Sequence, residues 1–450
     1  MRKITIILML TFSVGMTAQC FRKVVAGEDH YIAISQDGTL WAWGENSLGQ
    51  LGDGTSTDKI TPVQISTDNT WMSVSVSDRH SMAIKANGTL WAWGNDNYQA
   101  LGNGANNDSY FPIQIGTDTN WREVSAGERG TVAIKTDGTL WVWGTNTSGY
   151  LGNGAGIGFV SNVPIQLGTA NDWLTISGNG RHCVAVKTNG TLWAWGLNDY
   201  GQVGTGNTTN VMTPVQIGTA TNWKSVDASS SVSFAFKTDN SLHGWGYTAG
   251  MTFEYLTPQQ VGADTNWKTF SIKKRAQSQF ILLTKTNGTL WGWGSDSYQQ
   301  LGNGAAGSYA TPTQIGTENN WENAIAGYRQ SIGIKTNGTV WAWGDTDLVE
   351  NPGTGSYVDS PVQYGCTSLS IEENTFDSLT IFPNPVSDVL NISSEFFPAS
   401  VTVYDLNGRK YNTYYNEQSQ SLNVSALSSG MYMLIIESGE NMVYKKFIKN

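Results

Sequence analysis

Apolar and polar residues along this chain alternate in short runs, at the spacing of strands rather than helices. In "TVAIKT" at Thr131–Thr136 and "TLWVWG" at Thr139–Gly144, alternate side chains fall on one face. Asp137-Gly138 joins the two runs, and an Asp-Gly or Asn-Gly pair predicts a hairpin with a type I′ turn. Two more runs complete the unit: "WREVSAG" at Trp121–Gly127 and "FPIQI" at Phe111–Ile115.

This unit recurs. Its third strand is written at Asp37–Gly44, Asn87–Gly94, Asp137–Gly144, Asn189–Gly196, Asn287–Gly294 and Asn337–Gly344, with a worn copy at Asp239–Gly246. Seven copies at a period of about 50 residues signal a propeller or array. Four antiparallel strands per unit predict an all-β fold, a seven-bladed β-propeller over residues 20–366.

The 19 Trp follow the pattern: thirteen lie in third strands and six open first strands. Paired Trp such as Trp41 and Trp43 share a face, while Leu40 and Ala42 point the other way. One bulky and one small face let stacked blades interlock, so a packing role is expected for the Trp set rather than sugar stacking.

The connection from fourth strand to first is short, as in Gln114–Trp121, and the one from third to fourth is long. The expected blade order is therefore fourth, first, second, third. The opening strand of blade one would then come from Ser360–Gly365 at the far end, a strand-exchange closure. Cys20 and Cys366 fall on two positions that lie three residues apart in each of the six uninterrupted connections. That spacing brings Cα atoms within about 7 Å in a tight turn, inside disulfide reach. A Cys20–Cys366 disulfide is expected to bridge the gap. Cys183 aligns with Ser81 and Thr131 and reads as a small buried residue.

Composition changes the picture at three points. Charged residues make up only 14%, against about 25% on average. The net charge of −10 argues against nucleic acid as a partner. Residues 1–19 read as a signal peptide: Arg2 and Lys3, then an apolar stretch from Ile4 to Val14, then small residues, with cleavage expected after Ala18 or Gln19. No later segment is apolar enough to span a membrane as a helix, so export is expected.

Catalytic chemistry finds little support. His30, His80 and His182 share one slot that holds Gly130, Val232, Phe280 and Gln330 in other units, and they read as structural rather than metal-ligating. The "LGNG" segments at Leu101–Gly104, Leu151–Gly154 and Leu301–Gly304 lack the Lys-Ser/Thr ending of a phosphate loop. No Gly-x-Ser-x-Gly elbow and no paired carboxylates are evident. The chain is therefore expected to be non-enzymatic, with no cofactor and no metal. Asymmetry between units is the better guide. Unit five has no "LGNG" segment, and unit six inserts about four residues around Lys273, Lys274 and Arg275, a triple-basic run in an acidic chain. Tyr98, Tyr200 and Tyr298 share one loop position. These six residues are the candidate ligand contacts, against the plainer reading of solvated and loop-packing side chains.

The unit "VSAGERGTVAIKTDGTLWVWGTNTSGYLGNG" at Val124–Gly154 resembles the repeat of the regulator-of-chromosome-condensation propellers, over roughly residues 20–366. The resemblance implies a seven-bladed propeller. It leaves function open, since the family spans a guanine nucleotide exchange factor and a secreted inhibitor of β-lactamases. Residues 379–450 carry "LTIFPNPVSDVLNI" at Leu379–Ile392, "VTVYDLNGRK" at Val401–Lys410, "LNVSALSSGMYMLII" at Leu422–Ile436 and "KKFIKN" at Lys445–Asn450. This segment reads as a small β-sandwich. It resembles the type A C-terminal sorting domain of the type IX secretion system, which implies that machinery as a partner. Residues 367–378 read as an acidic linker. The expectation is a monomeric, secreted or surface-displayed propeller that binds an extracellular protein or glycan. Nucleotide exchange, or an extracellular polysaccharide-active enzyme, are the rivals.

Overall fold

The structure is a computed structural model. It describes residues 21–179, 181–247, 254–272, 279–305, 307–345 and 357–364, and then 380–393, 400–405, 410–411, 413–416, 418–438 and 441–450. The chain divides into two units, Met1–Cys366 and Thr367–Asn450.

In the first unit the described strands form seven four-stranded antiparallel sheets. Blade one consists of Phe21–Ala26, His30–Ser35, Leu40–Gly44 and Lys59–Ser66, paired in that order. Blade seven consists of Trp321–Ala326, Gln330–Lys335, Val340–Asp345 and Tyr357–Gln363. First strands of neighbouring blades touch one another, whereas fourth strands are largely exposed. The first strand is thus innermost and the fourth outermost.

This order corrects the expected closure. Tyr357–Gln363 pairs with the third strand of its own blade, Trp341 opposite Gln363 and Ala342 opposite Val362. Among the described residues no strand is exchanged, and the strands of each blade are consecutive in sequence. The long third-to-fourth loop misled the reading because it leaves its sheet to touch the next blade and then returns. Gly54 N–H donates to Tyr110 O at 2.9 Å, and Gly104, Gly154, Gly206 and Gly304 repeat the bond to Asn162, Met212, Leu256 and Asp359. The "LGNG" segments are therefore inter-blade clips. The ring closes face to face. Phe21, Val24, Tyr31 and Trp43 of blade one share a core with Ile325, Ile332, Ile334 and Val340 of blade seven, and Tyr31 Oη donates to Gln330 Oε1 at 2.9 Å. Cys20 and Cys366 lie outside the described residues, as do Ala18 and Gln19.

Between blades, the bulky face meets the small one as expected. Trp71, Val74, Val76, Ala83 and Trp93 of blade two pack against Ile32, Ile34, Leu40 and Ala42 of blade one. A register shift at the second residue of every first strand makes this fit possible. Without that bulge Trp71 would alternate onto the face opposite Val74; the extra residue brings both onto one face. A buried Trp hides about 150–250 Å², so at about 25 cal/mol per Å² each contributes on the order of 4–6 kcal/mol before entropy. Cys183 is fully buried and its Sγ lies 3.8 Å from Tyr150 O, in the role that Ser and Thr play in other blades.

The hairpin turn differs from expectation. Gly38 N–H bonds to Ser35 O, and Ser35 N–H to Thr39 O. Only the Gly has a positive φ, +89°. The loop is a three-residue type I turn closed by a left-handed Gly, not a type I′ turn. A Cβ on Gly38 would sit 2.1 Å from Asn69 O, because the connection to blade two runs beneath the turn.

Among the described residues the second unit forms two four-stranded sheets, whose facing residues Leu390, Ile392 and Leu422 and Val403, Leu434, Ile436 and Phe447 share one core. This is the expected small sandwich.

Candidate binding face

The two ends of the ring differ. One end carries the Asp/Asn-Gly turns and the fourth-to-first connections, and it is regular. Lys135 Nζ sits 4.6 and 3.7 Å from the Trp121 and Trp141 rings and 2.7 Å from Asp118 Oδ2. Lys85, Lys187, Lys285 and Lys335 repeat this cage, paired with Asp68, Asp172, Asp264 and Glu318. The outer Trp is also held from below: Trp141 Nε1 donates to Thr139 Oγ1 at 2.9 Å, and Thr139 is held by Asp137. In the worn copy His243 takes the Trp slot, 3.2 Å from Ser241 Oγ. The sequence reading passed over these lysines. Their signal was a Lys two residues before nearly every Asp/Asn-Gly pair, with an acid just ahead of the first-strand Trp. Repetition in five blades marks the cage as structural.

The other end carries the first-to-second hairpins and the long loops, and here the blades diverge. Tyr98 and Tyr298 are half-buried, and each meets an Arg of the next blade: Arg129 at 5.3 Å from the Tyr98 ring centroid, Arg329 at 4.5 Å from that of Tyr298. Both therefore pack between blades. Arg329 also lies 5.0 Å from the Tyr328 ring and 3.8 Å from Asp345 Oδ2, and Tyr357 tilts against Tyr298 at 5.9 Å. Tyr200 differs: it is 52% exposed and stacks on Tyr247 at 5.4 Å. On blade one, burial first, then the Glu28 and Glu45 carboxylates, push Asp29 up to about 6, with Arg329 working against them. Glu128 bridges Arg129 at 3.5 Å and Arg181 at 3.4 Å. The three Tyr do not converge on one spot; they mark alternate blade junctions, two–three, four–five and six–seven. Lys273, Lys274 and Arg275 lie outside the described residues.

Toward the axis, the third residues of the first strands are all polar: Lys23, Ser73, Glu123, Thr175, Ser225, Thr269 and Asn323. Burial lowers the Lys23 ammonium and raises the Glu123 carboxyl. Thr175 Oγ1 donates to Glu123 Oε1 at 2.7 Å, and Lys23 Nζ to Ser73 Oγ at 3.4 Å. Among the described residues no three His, Cys, Asp or Glu side chains gather as a metal cluster, and no helix is long and apolar enough to cross a membrane.

Seven bladed sheets around an axis, followed by a separate two-sheet unit, define a β-propeller with a C-terminal accessory domain. The chain belongs to the RCC1-like domain family, which matches residues 17–253. A regulator of chromosome condensation (RCC1) repeat matches residues 287–334, and a secretion system C-terminal sorting domain matches residues 380–450. The chain thus carries an export address of the type IX kind, which implies secretion or surface display.

Among curated proteins, the chain is 36% identical over 52 residues to Protein RCC2 homolog of Xenopus laevis and 37% over 46 residues to that of Danio rerio. These matches cover 11% and 10% of this chain, and only 10% and 9% of the relatives. Among solved structures, Prp20p from Saccharomyces cerevisiae superposes with a TM-score of 0.63 at 17% identity, covering 84% of this chain and 93% of that one. Human WBSCR16 gives 0.61 at 18% identity, covering 69% and 85%. At these identities the likeness concerns the fold.

Proposed function

We propose that this protein is an exported, non-enzymatic binding propeller that engages an extracellular protein or glycan through its loop-bearing end. The contrast between the two ends carries the reading. Packing requirements are alike in every blade, so the cage end repeats, whereas the loop end varies in charge and aromatic content from blade to blade. Rigid scaffolds with variable loops are built for recognition. Tyr200 with Tyr247, and Arg329 with Tyr298 and Tyr328, offer flat and cationic surfaces suited to a sugar ring or an acidic peptide. The absence of a nucleophile elbow from the sequence supports a role without turnover.

A glycan and protein array probed with the full chain tests this. The expected result is a retained ligand whose affinity drops about tenfold or more, the worth of roughly 1.4 kcal/mol, in Tyr200→Ala and Arg329→Ala variants. Turnover of an arrayed glycan, or binding that both variants leave unchanged, would overturn it.

A further inference from the structure

We propose that the long loops of blades two and six each hold a hard, oxygen-seeking cation of the calcium class, ligated by Asp96 and Asp296. The argument rests on a slot the chain builds repeatedly. In blades one, three and four the slot holds Asn46, Asn146 and Asn198. Each accepts a backbone N–H through Oδ1, from Leu51 at 3.0 Å, Leu151 at 3.1 Å and Val203 at 2.9 Å. Each Nδ2 then donates to loop oxygens: Asn46 to Asp53 Oδ1, Thr55 O and Thr57 O, Asn146 to Ala155 O and Gly156 O, Asn198 to Asn207 O and Thr209 O. The slot is lined by acceptors.

Blades two and six place Asp in it. Asp96 Oδ1 keeps its bond from Leu101 N–H at 3.0 Å, and Asp296 Oδ1 its bond from Leu301 N–H at 2.7 Å. Each Oδ2 therefore falls where the others have an N–H₂ donor. Asp96 is 1% exposed and Asp296 is fully buried; neither Oδ2 makes a hydrogen bond of normal geometry, although the Asn107 backbone N–H also points toward the Asp96 carboxyl. An unpartnered buried carboxylate oxygen is costly.

The loop around Asp96 has the same length as those of blades one and four. In each, the slot residue's N–H bonds to a side chain twelve residues on: Asp58, Asp108 or Asn210. By that correspondence the blade-two oxygens at the positions that Asn46 Nδ2 meets in blade one are Asn103 Oδ1, Ala105 O and Asn107 O. Asp296, Asn303, Ala305 and Gly307 repeat the spacing in blade six. One carboxylate, one amide oxygen and two carbonyls are the donors that calcium selects.

A second observation points the same way. In blade one a cation already sits on these oxygens: Lys59 Nζ lies 2.9 Å from Asp53 Oδ2 and 2.9 Å from Thr57 O. Blade two has Ser109 at that position and blade six has Tyr309, so neither supplies an ammonium.

Calcium titration of the chelator-stripped full chain, with terbium luminescence as a second readout, tests the proposal. The expected result is two sites with dissociation constants on the order of 10⁻⁴ to 10⁻³ M, the range of extracellular oxygen-ligand sites, and a melting temperature that rises with calcium. The Asp96→Asn/Asp296→Asn variant is expected to lose both sites and to fold normally without calcium, because Asn fills the same slot in three other blades. Failure of the parent chain to bind either ion, or binding that the double variant retains, would overturn the proposal.

Discussion

His182 of blade four donates from Nε2 to Ser233 Oγ of blade five at 2.7 Å, and the direction is set by the Ser. Ser233 spends its own proton on Gln202 O at 2.8 Å, so its oxygen must accept. His182 is thus held as the neutral Nε2–H tautomer, with Nδ1 buried and unpartnered. Protonation at Nδ1 would bury an N–H with no acceptor, and burial lowers this His to about 3. In the unfolded chain it titrates near 6.5. Below that value the unfolded state takes up a proton that the folded state refuses. Stability is lost as pH falls from about 6.5 toward 3, by about 1.4 kcal/mol per unit from this one group. Blade seven carries Gln330 in the same slot, so His182→Gln is sterically acceptable. Urea denaturation at a series of pH values should show a shallower acid loss in this variant than in the parent. An unchanged slope would refute the assignment.

The cation cages yield a second prediction. Lys135 is buried between Trp121 and Trp141, while its partner Asp118 is about half exposed. Removing the ammonium therefore leaves the acid solvated and the rings without their charge. Lys135→Met keeps the apolar stem and is expected to cost about 1–2 kcal/mol, the range for a desolvated cation over an aromatic face. Lys135→Arg should cost less. Chemical denaturation measures both, and a neutral Met variant would show that the cage contributes nothing beyond packing.

Much of this architecture was legible because it repeats. Six Trp-x-Trp strands and one worn copy, His243-Gly244-Trp245, announce the blade number, and the alternation of Trp41 and Trp43 with Leu40 and Ala42 announces the bulky and small faces. Blade phase was not legible. Connection length is a poor guide when the loop after Gly44 reaches the next blade before returning. The turn type was missed because Asp-Gly serves both a type I′ turn and a type I turn closed by a left-handed Gly; only the bond from Gly38 to Ser35 separates them. The Tyr98 and Tyr298 contacts were legible as loop positions only, since their Arg partners lie on the next blade, about 30 residues on.

The corrected closure sharpens the disulfide expectation. Without an exchanged strand, the described residues join blades one and seven by side-chain packing and by hydrogen bonds such as that of Tyr31 Oη to Gln330 Oε1, with no shared strand pairing. Phe21 stacks on Trp43 at 5.8 Å, and Tyr364 meets the same ring at 6.3 Å. Phe21 directly follows Cys20, and Tyr364 precedes Cys366 by two residues, so both cysteines adjoin residues that share one Trp. We expect a Cys20–Cys366 bond, contributing about 2–5 kcal/mol. Non-reducing peptide mapping of exported protein decides it. Two free thiols would rule it out.

Two glycines separate backbone strain from close approach. Gly94 ends the third strand of blade two at φ +100°, and a Cβ there would lie 2.6 Å from Arg79 O and 2.8 Å from His80 Cα. Its equivalents, Gly44, Gly144, Gly196, Gly246, Gly294 and Gly344, all have positive φ. Gly116, in the connection to blade three, has φ +63° with open space around the Cβ position. Gly116→Ala meets only the left-handed penalty, about 1–2 kcal/mol. Gly94→Ala meets that penalty and two backbone atoms that cannot yield without pulling the hairpin off the sheet. Its cost should exceed about 3 kcal/mol, in the range of severe single substitutions. Equal destabilisation of the two variants in thermal or urea unfolding would mean that φ alone accounts for the repeated Gly. A much larger loss at Gly94 would show that the hairpin and the third-strand end are held in direct backbone contact.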